Sequence, residues 1–235
     1  MILKNNRTMR AAVLLLALVL ITSCFVGGTF AKYVTSGGAA DHARVAKWGV
    51  TVTAHETGDV FAKAYDTTVK SSSSDKVVAP GTKKENATLV TLSGQPEVTV
   101  NVTYSAEGSG LVGNWTSDNK GTFYCPLIIK VTHKENGTDK TETINCAEKK
   151  NKEEVAEAVN AAVAACSATY EPNTNLSAVE NGGLKISWEW PFEGGETINP
   201  EQTDEKDTYL GNQAATAAVV PSIYISATAT VTQID

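Results

Sequence analysis

Alternating apolar and polar positions dominate this chain and predict β-strands. Side chains that alternate with period two bury one face of a strand and leave the other in water, as in an antiparallel sandwich. Turn sequences such as Ala79-Pro-Gly81 and Asn136-Gly137 separate the alternating segments. The segments with this pattern are residues 46–54, 98–104, 127–131, 184–190 and 223–231.

One segment has helical spacing instead. Asn151 and Glu154 form a capping box, and apolar residues then recur three or four positions apart from Val155 to Cys166. This spacing predicts one helix near residues 151–167, inserted into the β domain. We expect it to pack across an edge or end of the sandwich without binding a ligand.

The amino-terminal segment has the form of a secretory signal peptide. Three basic residues precede the apolar run Ala11–Ile21, and small residues follow it up to Ala31. We expect a signal peptide over residues 1–31. Cleavage after Ala31 would leave a single β-sandwich domain, residues 32–235, that begins at Lys32.

A lipid anchor is the alternative interpretation of the same segment. Ile21-Thr-Ser-Cys24 fits the bacterial lipobox, in which Cys24 would be lipidated and would tether the protein to the membrane. Phe25 and Val26 continue the apolar run beyond this cysteine, which favours the ordinary signal peptide. Both alternatives place the domain outside the cytoplasm.

The charge balance argues against a nucleic-acid partner. The 235 residues carry a net charge of −6. The signal segment contains three basic and no acidic residues, so its removal takes the net charge from −6 to −9. An acidic surface repels the phosphate backbone.

A series of motifs along the chain resembles one family. In order they are Gly28-Thr-Phe-Ala-Lys-Tyr33, Ala43-Arg-Val-Ala-Lys-Trp-Gly-Val50, Val78-Ala-Pro-Gly-Thr82, Ser93-Gly-Gln-Pro-Glu-Val98, Trp188-Glu-Trp-Pro-Phe192, Asp207-Thr-Tyr-Leu-Gly211 and Val231-Thr-Gln-Ile-Asp235. Together they resemble secreted Firmicutes proteins related to TasA and camelysin. The resemblance covers nearly the whole chain.

This resemblance implies a jelly-roll or immunoglobulin-like sandwich that a SipW-type signal peptidase processes. It also implies a structural subunit of extracellular matrix or biofilm fibres, whose partners are further copies of itself or related matrix subunits. In such fibres the mature amino-terminal segment adds a strand to its neighbour, which satisfies the backbone groups of both. The candidate donor strand is Lys32, Tyr33, Val34 and Thr35, with residues 36–40 as a hinge.

The same resemblance raises an enzyme alternative, because camelysin is described as a metalloendopeptidase. A zinc peptidase needs about three ligands, often two histidines one helical turn apart. His42, His55 and His133 are scattered, and the His-Glu-x-x-His motif does not occur. We therefore expect a non-enzymatic protein without catalytic residues or a cofactor. A surface adhesin or binding module is the other alternative.

Acidic residues cluster between Phe192 and Leu210. Carboxylates are the ligands that calcium prefers, which makes Asp204, Glu205 and Asp207 candidates for a calcium site. The ordered spacing of an EF-hand is missing. A solvated acidic loop is the favoured interpretation.

Cysteines and tryptophans leave further alternatives. Cys125 and Cys146 flank the hairpin predicted at Asn136-Gly137, so a disulfide between them is possible in an exported protein. A bond between Cys146 and Cys166, or three reduced thiols, is equally compatible with the sequence.

The tryptophans could stack on sugar rings, but their place in the alternating pattern favours core packing. These tryptophans are Trp48, Trp188 and Trp190.

Overall fold

The computed structural model describes residues 7–31, 43–54, 60–63, 65, 75–135, 137–177, 183–192 and 200–234. By their contacts the residues divide into two units, Met1–Val45 and Ala46–Asp235. The first unit contains the 25-residue helix α1, Arg7–Ala31. The second contains every strand in the described part of the chain.

Among the described residues, the second unit contains ten strands and two helices. The helices are α2, Lys152–Ala164, and α3, Pro200–Thr216. A short 3-10 turn covers Cys146–Glu148. The strands are β1 Val50–Ala54, β2 Lys83–Gly94, β3 Val100–Ser105, β4 Gly110–Val112, β5 Ile128–Glu135, β6 Thr138–Asn145, β7 Ala168–Tyr170, β8 Leu184–Glu189, β9 Ser222–Tyr224 and β10 Thr228–Gln233.

The strands pair antiparallel in three sheets. The largest sheet has the order β1-β2-β8-β5-β6, and a smaller one has the order β10-β3-β7. Strands β4 and β9 form a two-stranded sheet. The prediction of a mainly antiparallel β protein with a helix among its strands is confirmed, and the two larger sheets are compatible with a sandwich.

One apolar core joins the two larger sheets. Alternate residues of β5 and β8 are buried, among them Ile129, Val131 and Ile186, as are Val100 and Val102 of β3. Sequence alternation therefore identified the inward face of these strands correctly. Burial of this apolar surface is the main stabilising contribution to such a domain.

Helix α2 begins and packs as its sequence predicts. The Asn151 side chain accepts a hydrogen bond of 2.8 Å from the Glu154 amide, and the Glu154 carboxylate accepts one of 2.9 Å from the Lys150 amide. The first bond satisfies an amide of the first helical turn, which has no helical partner, and the second holds the residue before the cap. The buried face of α2 carries Val155 and Val159, and the helix contacts β3, β4, β5 and β6.

The β5–β6 hairpin is also confirmed. Glu135 pairs with Thr138, so two residues make the turn, and Gly137 has a φ of 80°. A two-residue hairpin turn needs positive φ, which glycine adopts without steric cost. Every residue of β5 pairs with one of β6 from this turn to the pair Ile128 and Asn145.

Two expectations about strand and loop boundaries are wrong. The predicted strand at 223–231 divides into β9 and β10, because the Ser226 amide donates to the Ser109 hydroxyl (2.9 Å) and its hydroxyl donates to the Glu107 carbonyl (3.0 Å). These bonds hold Ser226 between the two strands. On one side of it β9 pairs with β4, and on the other side β10 pairs with β3. Trp48 precedes β1 and has 44% of its surface exposed, so the expectation of core packing is wrong for this tryptophan and confirmed for Trp188 and Trp190.

Candidate functional site

The edges of the two larger sheets differ in charge. Strand β1 is one edge of the five-stranded sheet and has the sequence Val-Thr-Val-Thr-Ala. Strand β10 is one edge of the three-stranded sheet and has the sequence Thr-Ala-Thr-Val-Thr-Gln. Neither strand contains a charged residue, and the two strands contact each other. One side of the domain therefore presents two uncharged edge strands.

The opposite edge of the large sheet is charged. Strand β6 carries Asp139, Lys140 and Glu142 on exposed positions, and Asp139 lies 3.7 Å from the Lys134 ammonium. Charged residues on an edge strand oppose pairing with another chain. Charge therefore opposes strand addition at the β6 edge, whereas β1 and β10 contain no charged residue of their own.

A groove of about 590 Å³ runs between β6 and α2. Alanines of α2 form one wall, and the charged residues Glu142, Glu148 and Lys149 lie along the other side. Its lining residues are Glu142, Thr143, Ile144, Asn145, Glu148, Lys149, Ala158, Ala161, Ala162 and Ala165. Helix α2 therefore lies beside the charged edge strand β6 while it also packs against β3, β4 and β5.

Hydrogen-bond alternation shows which backbone groups of β10 are directed away from β3. The Ile234 amide donates to the Thr99 carbonyl at 3.0 Å, in register with the β10–β3 pairs. In antiparallel pairs the residues bonded to the partner alternate with residues whose N–H and C=O point to the other side. The outward groups of β10 are therefore those of Ala229, Val231 and Gln233.

The calcium candidates lie on a helix rather than in a loop. Asp204, Glu205 and Asp207 all fall within α3, so the prediction of a solvated loop is wrong for residues 200–210. Asp204 and Glu205 are exposed. Among the described residues, no three His, Cys, Asp or Glu side chains converge as a metal site would require.

Asp207 ties α3 to the β domain. One carboxylate oxygen accepts a 2.7 Å hydrogen bond from the Tyr124 hydroxyl, and the other accepts a 3.3 Å bond from the Trp190 indole N–H. Burial raises the pKa of Asp207, and these two bonds oppose that rise. Calcium binding stays a prediction, and it would have to use oxygens that already serve Tyr124 and Trp190.

The raised pKa of Asp207 predicts a pH dependence of stability. The folded state holds the Asp207 proton more tightly than the unfolded state, so this contribution is fully present below the unfolded pKa, near 3.9, and is lost as pH rises through the folded pKa. We expect Asp207→Asn to flatten the dependence of the unfolding free energy on pH above about pH 4. Urea titrations at several pH values between 4 and 7 measure this slope.

Asp204→Asn is the matched control, because Asp204 lies one turn away and is exposed. It should retain most of the slope. Parallel curves for the wild type and Asp207→Asn would show that this carboxyl does not titrate as its environment implies.

The candidate zinc ligands are only partly described. His42 and His55 lie outside the described residues. His133 is buried in β5, where its Nε2 lies 3.2 Å from the Tyr170 hydroxyl and its ring lies 5.8 Å from that of Tyr104. In the described part of the chain this histidine is a core residue between the two sheets, a role that its isolated place in the sequence does not indicate.

The export-related predictions fall at the amino terminus. Ala31 is the last residue of α1, while Lys32 and the rest of the donor segment lie outside the described residues. Cys24, the lipidation candidate, is within α1. In the part of the chain that is described, none of the helices combines the length and apolar character needed to cross a membrane.

Comparisons with protein-family models, curated proteins and solved structures return no match for this chain.

Proposed function

We propose that this protein is an exported, non-enzymatic structural subunit of an extracellular matrix, which assembles when one copy donates its amino-terminal strand to the next. The donor is Lys32–Thr35, freed by a signal peptidase of the SipW type. The acceptor is the uncharged side of the domain formed by β1 and β10. The motifs that resemble the TasA and camelysin group support the same proposal.

The proposal rests on a difference in charge between the edge strands on the two sides of the domain. Soluble β proteins protect their edge strands with charge, proline or a covering element. The β6 edge has charges and α2 beside it, whereas β1 and β10 consist of uncharged residues, mostly Val, Thr and Ala. A domain that protects one edge and leaves the other uncharged is suited to add a strand at the second.

The donor segment and β10 are chemically compatible. An added strand would meet the outward backbone groups of Ala229, Val231 and Gln233 and would extend the β10-β3-β7 sheet. Tyr33, Val34 and Thr35 have side chains that favour extended structure. Backbone hydrogen bonds would supply affinity, and the alternate side chains of the donor would supply register.

Charge placed on the acceptor edge tests this geometry. We expect the pair Thr230→Lys and Thr232→Lys, both on exposed positions of β10, to raise the concentration needed for polymerisation about tenfold or more, because two ammonium groups would flank the added strand. Electron microscopy and sedimentation of the protein beginning at Lys32 measure assembly.

The control is the pair Thr141→Lys and Thr143→Lys, which has the same spacing on exposed positions of β6. This pair should leave assembly unchanged. An equal effect of both pairs would contradict β10 as the acceptor edge, and a wild-type protein that stays monomeric at every concentration would contradict the proposed function.

A further inference from the structure

Two buried cysteines meet where the β5–β6 hairpin enters the core. Cys125 lies three residues before β5, and Cys146 directly follows β6. Neither side chain has any exposed surface. They are therefore two thiols inside the apolar core rather than on the surface of the protein.

Backbone pairing explains why they approach each other. The Cys146 amide donates to the Leu127 carbonyl at 2.9 Å, which continues the β5–β6 pairing one residue beyond Ile128 and Asn145. Cys125 is two residues before Leu127, and both cysteine side chains are fully buried. The Cys146 thiol is a close enough neighbour of Cys125 to raise the pKa of the Cys125 thiol, after the larger effect of burial.

The third cysteine has different neighbours. The Cys166 thiol donates to the Ala162 carbonyl of α2 at 3.4 Å, and it lies near Tyr104. Burial raises the pKa of Cys166 to about 11, so it is held as a thiol. Of the pairings that the sequence leaves open, that of Cys125 with Cys146 joins neighbouring thiols, whereas the charged groups that act on Cys166 are Glu142 and Lys140.

We infer that Cys125 and Cys146 form a disulfide bond in the exported protein and that Cys166 remains a thiol. The inference rests on export to an oxidising compartment, where such bonds persist. It does not depend on fibre assembly. The bond would close the β5–β6 hairpin at the end opposite its turn.

The chemistry is thiol–disulfide exchange with a disulfide-bearing oxidant, such as a dithiol oxidase or oxidised glutathione. One cysteine thiolate attacks the oxidant, forms a mixed disulfide and releases one thiol. The second cysteine then attacks the mixed disulfide and releases the other thiol. The protein loses two protons and two electrons, and the oxidant is reduced to two thiols.

The environment of Cys125 disfavours oxidation after the domain has folded. Burial, and then the neighbouring Cys146 thiol, raises the pKa of Cys125 well above its usual value, which suppresses the reactive thiolate in the folded domain. Oxidation should therefore precede burial, during export and folding. Once formed, the bond is shielded from reductants by the same core.

Peptide mapping of the exported protein tests the inference. Free thiols are first alkylated with iodoacetamide under denaturing conditions, the disulfides are then reduced, and the new thiols receive a second label. We expect the second label on Cys125 and Cys146 and the first on Cys166. The first label on most copies of Cys125 or Cys146, or a bond between Cys146 and Cys166, would overturn the inference.

Thermal unfolding with and without dithiothreitol gives an independent measurement. When the wild type and Cys166→Ala are reduced in denaturant and refolded with dithiothreitol present, we expect a Tm about 6–12 °C below that of the oxidised proteins, as expected for a loop of this size. Cys125→Ala should show no such response to the reductant. A reductant-independent Tm in the wild type would also count against the bond.

Discussion

Mature protein that lacks residues 32–40 should form no polymer. The deletion removes the proposed donor strand, Lys32–Thr35, and the hinge that follows it, so the uncharged β10 edge of each copy would have no strand to accept. We expect the loss to be complete, because every contact along a donated-strand fibre uses the same segment. Electron microscopy of the protein beginning at Lys32, compared with the protein beginning at Asp41, measures it.

Two controls separate strand donation from a general effect of the terminus. Replacement of Tyr33, Val34 and Thr35 by glycine and serine keeps the length of the segment but removes its preference for extended structure, and should also prevent assembly. A synthetic peptide of residues 32–40 should inhibit assembly of the intact protein by occupying the acceptor edge. Unchanged assembly of the shortened protein would remove the hypothesis.

Trp188→Ala should cause the largest loss of stability among the tryptophan substitutions. Trp188 is 2% exposed, and its indole N–H donates to the Val60 carbonyl at 2.6 Å. Its ring also lies 5.4 Å from that of Phe61 and 5.2 Å from that of Tyr65, two described residues that belong to neither sheet. Removal of a buried tryptophan costs about 3–5 kcal/mol in unfolding free energy, which urea unfolding measures.

Trp48→Ala is the matched control. Trp48 is 44% exposed, and its loss should cost less than about 1 kcal/mol. Similar losses at the two positions would show that Trp188 does not hold the core in the way its contacts imply. A sugar-binding role would require an accessible ring face, which Trp188 does not present.

The spacing of apolar residues predicted those strands and the helix that bury one face in the core and expose the other to water. Strands β5 and β8 have strict alternation because one face meets the core and the other meets water. Helix α2 was predicted from Asn151 and the spacing of its valines, since its cap is local and its buried stripe repeats with the helical period. For these elements the local sequence is enough to predict the type of secondary structure and the face that is buried.

Strand β2 was missed because its pairing is irregular. Its register with β8 shifts twice, and Asn86 has a φ of 53°. Leu89 and Val90 are consecutive and both buried, which no period-two pattern predicts. Such bulges depend on the partner strand, so the sequence of β2 alone did not indicate them.

Helix α3 was missed because distant contacts stabilise it. Few of its residues are apolar, and Leu210 is the one large apolar side chain it buries among the described residues. Asp207 connects it to Tyr124 and Trp190, which are 83 and 17 residues away in sequence. A carboxylate in this segment suggested a calcium ligand, but the tertiary structure supplied two hydrogen-bond donors.

The sequence by itself determined the mainly antiparallel β class, the inward faces of the regular strands, the capped helix and the hairpin, because each depends on local periodicity or local turn chemistry. The tertiary structure alone decided which strands stand at the sheet edges, which thiols meet and which carboxylate is bonded. These features depend on residues that folding brings together from distant parts of the chain. For the same reason the position of the uncharged strands β1 and β10 at sheet edges is visible in the strand order and not in the sequence of any single strand.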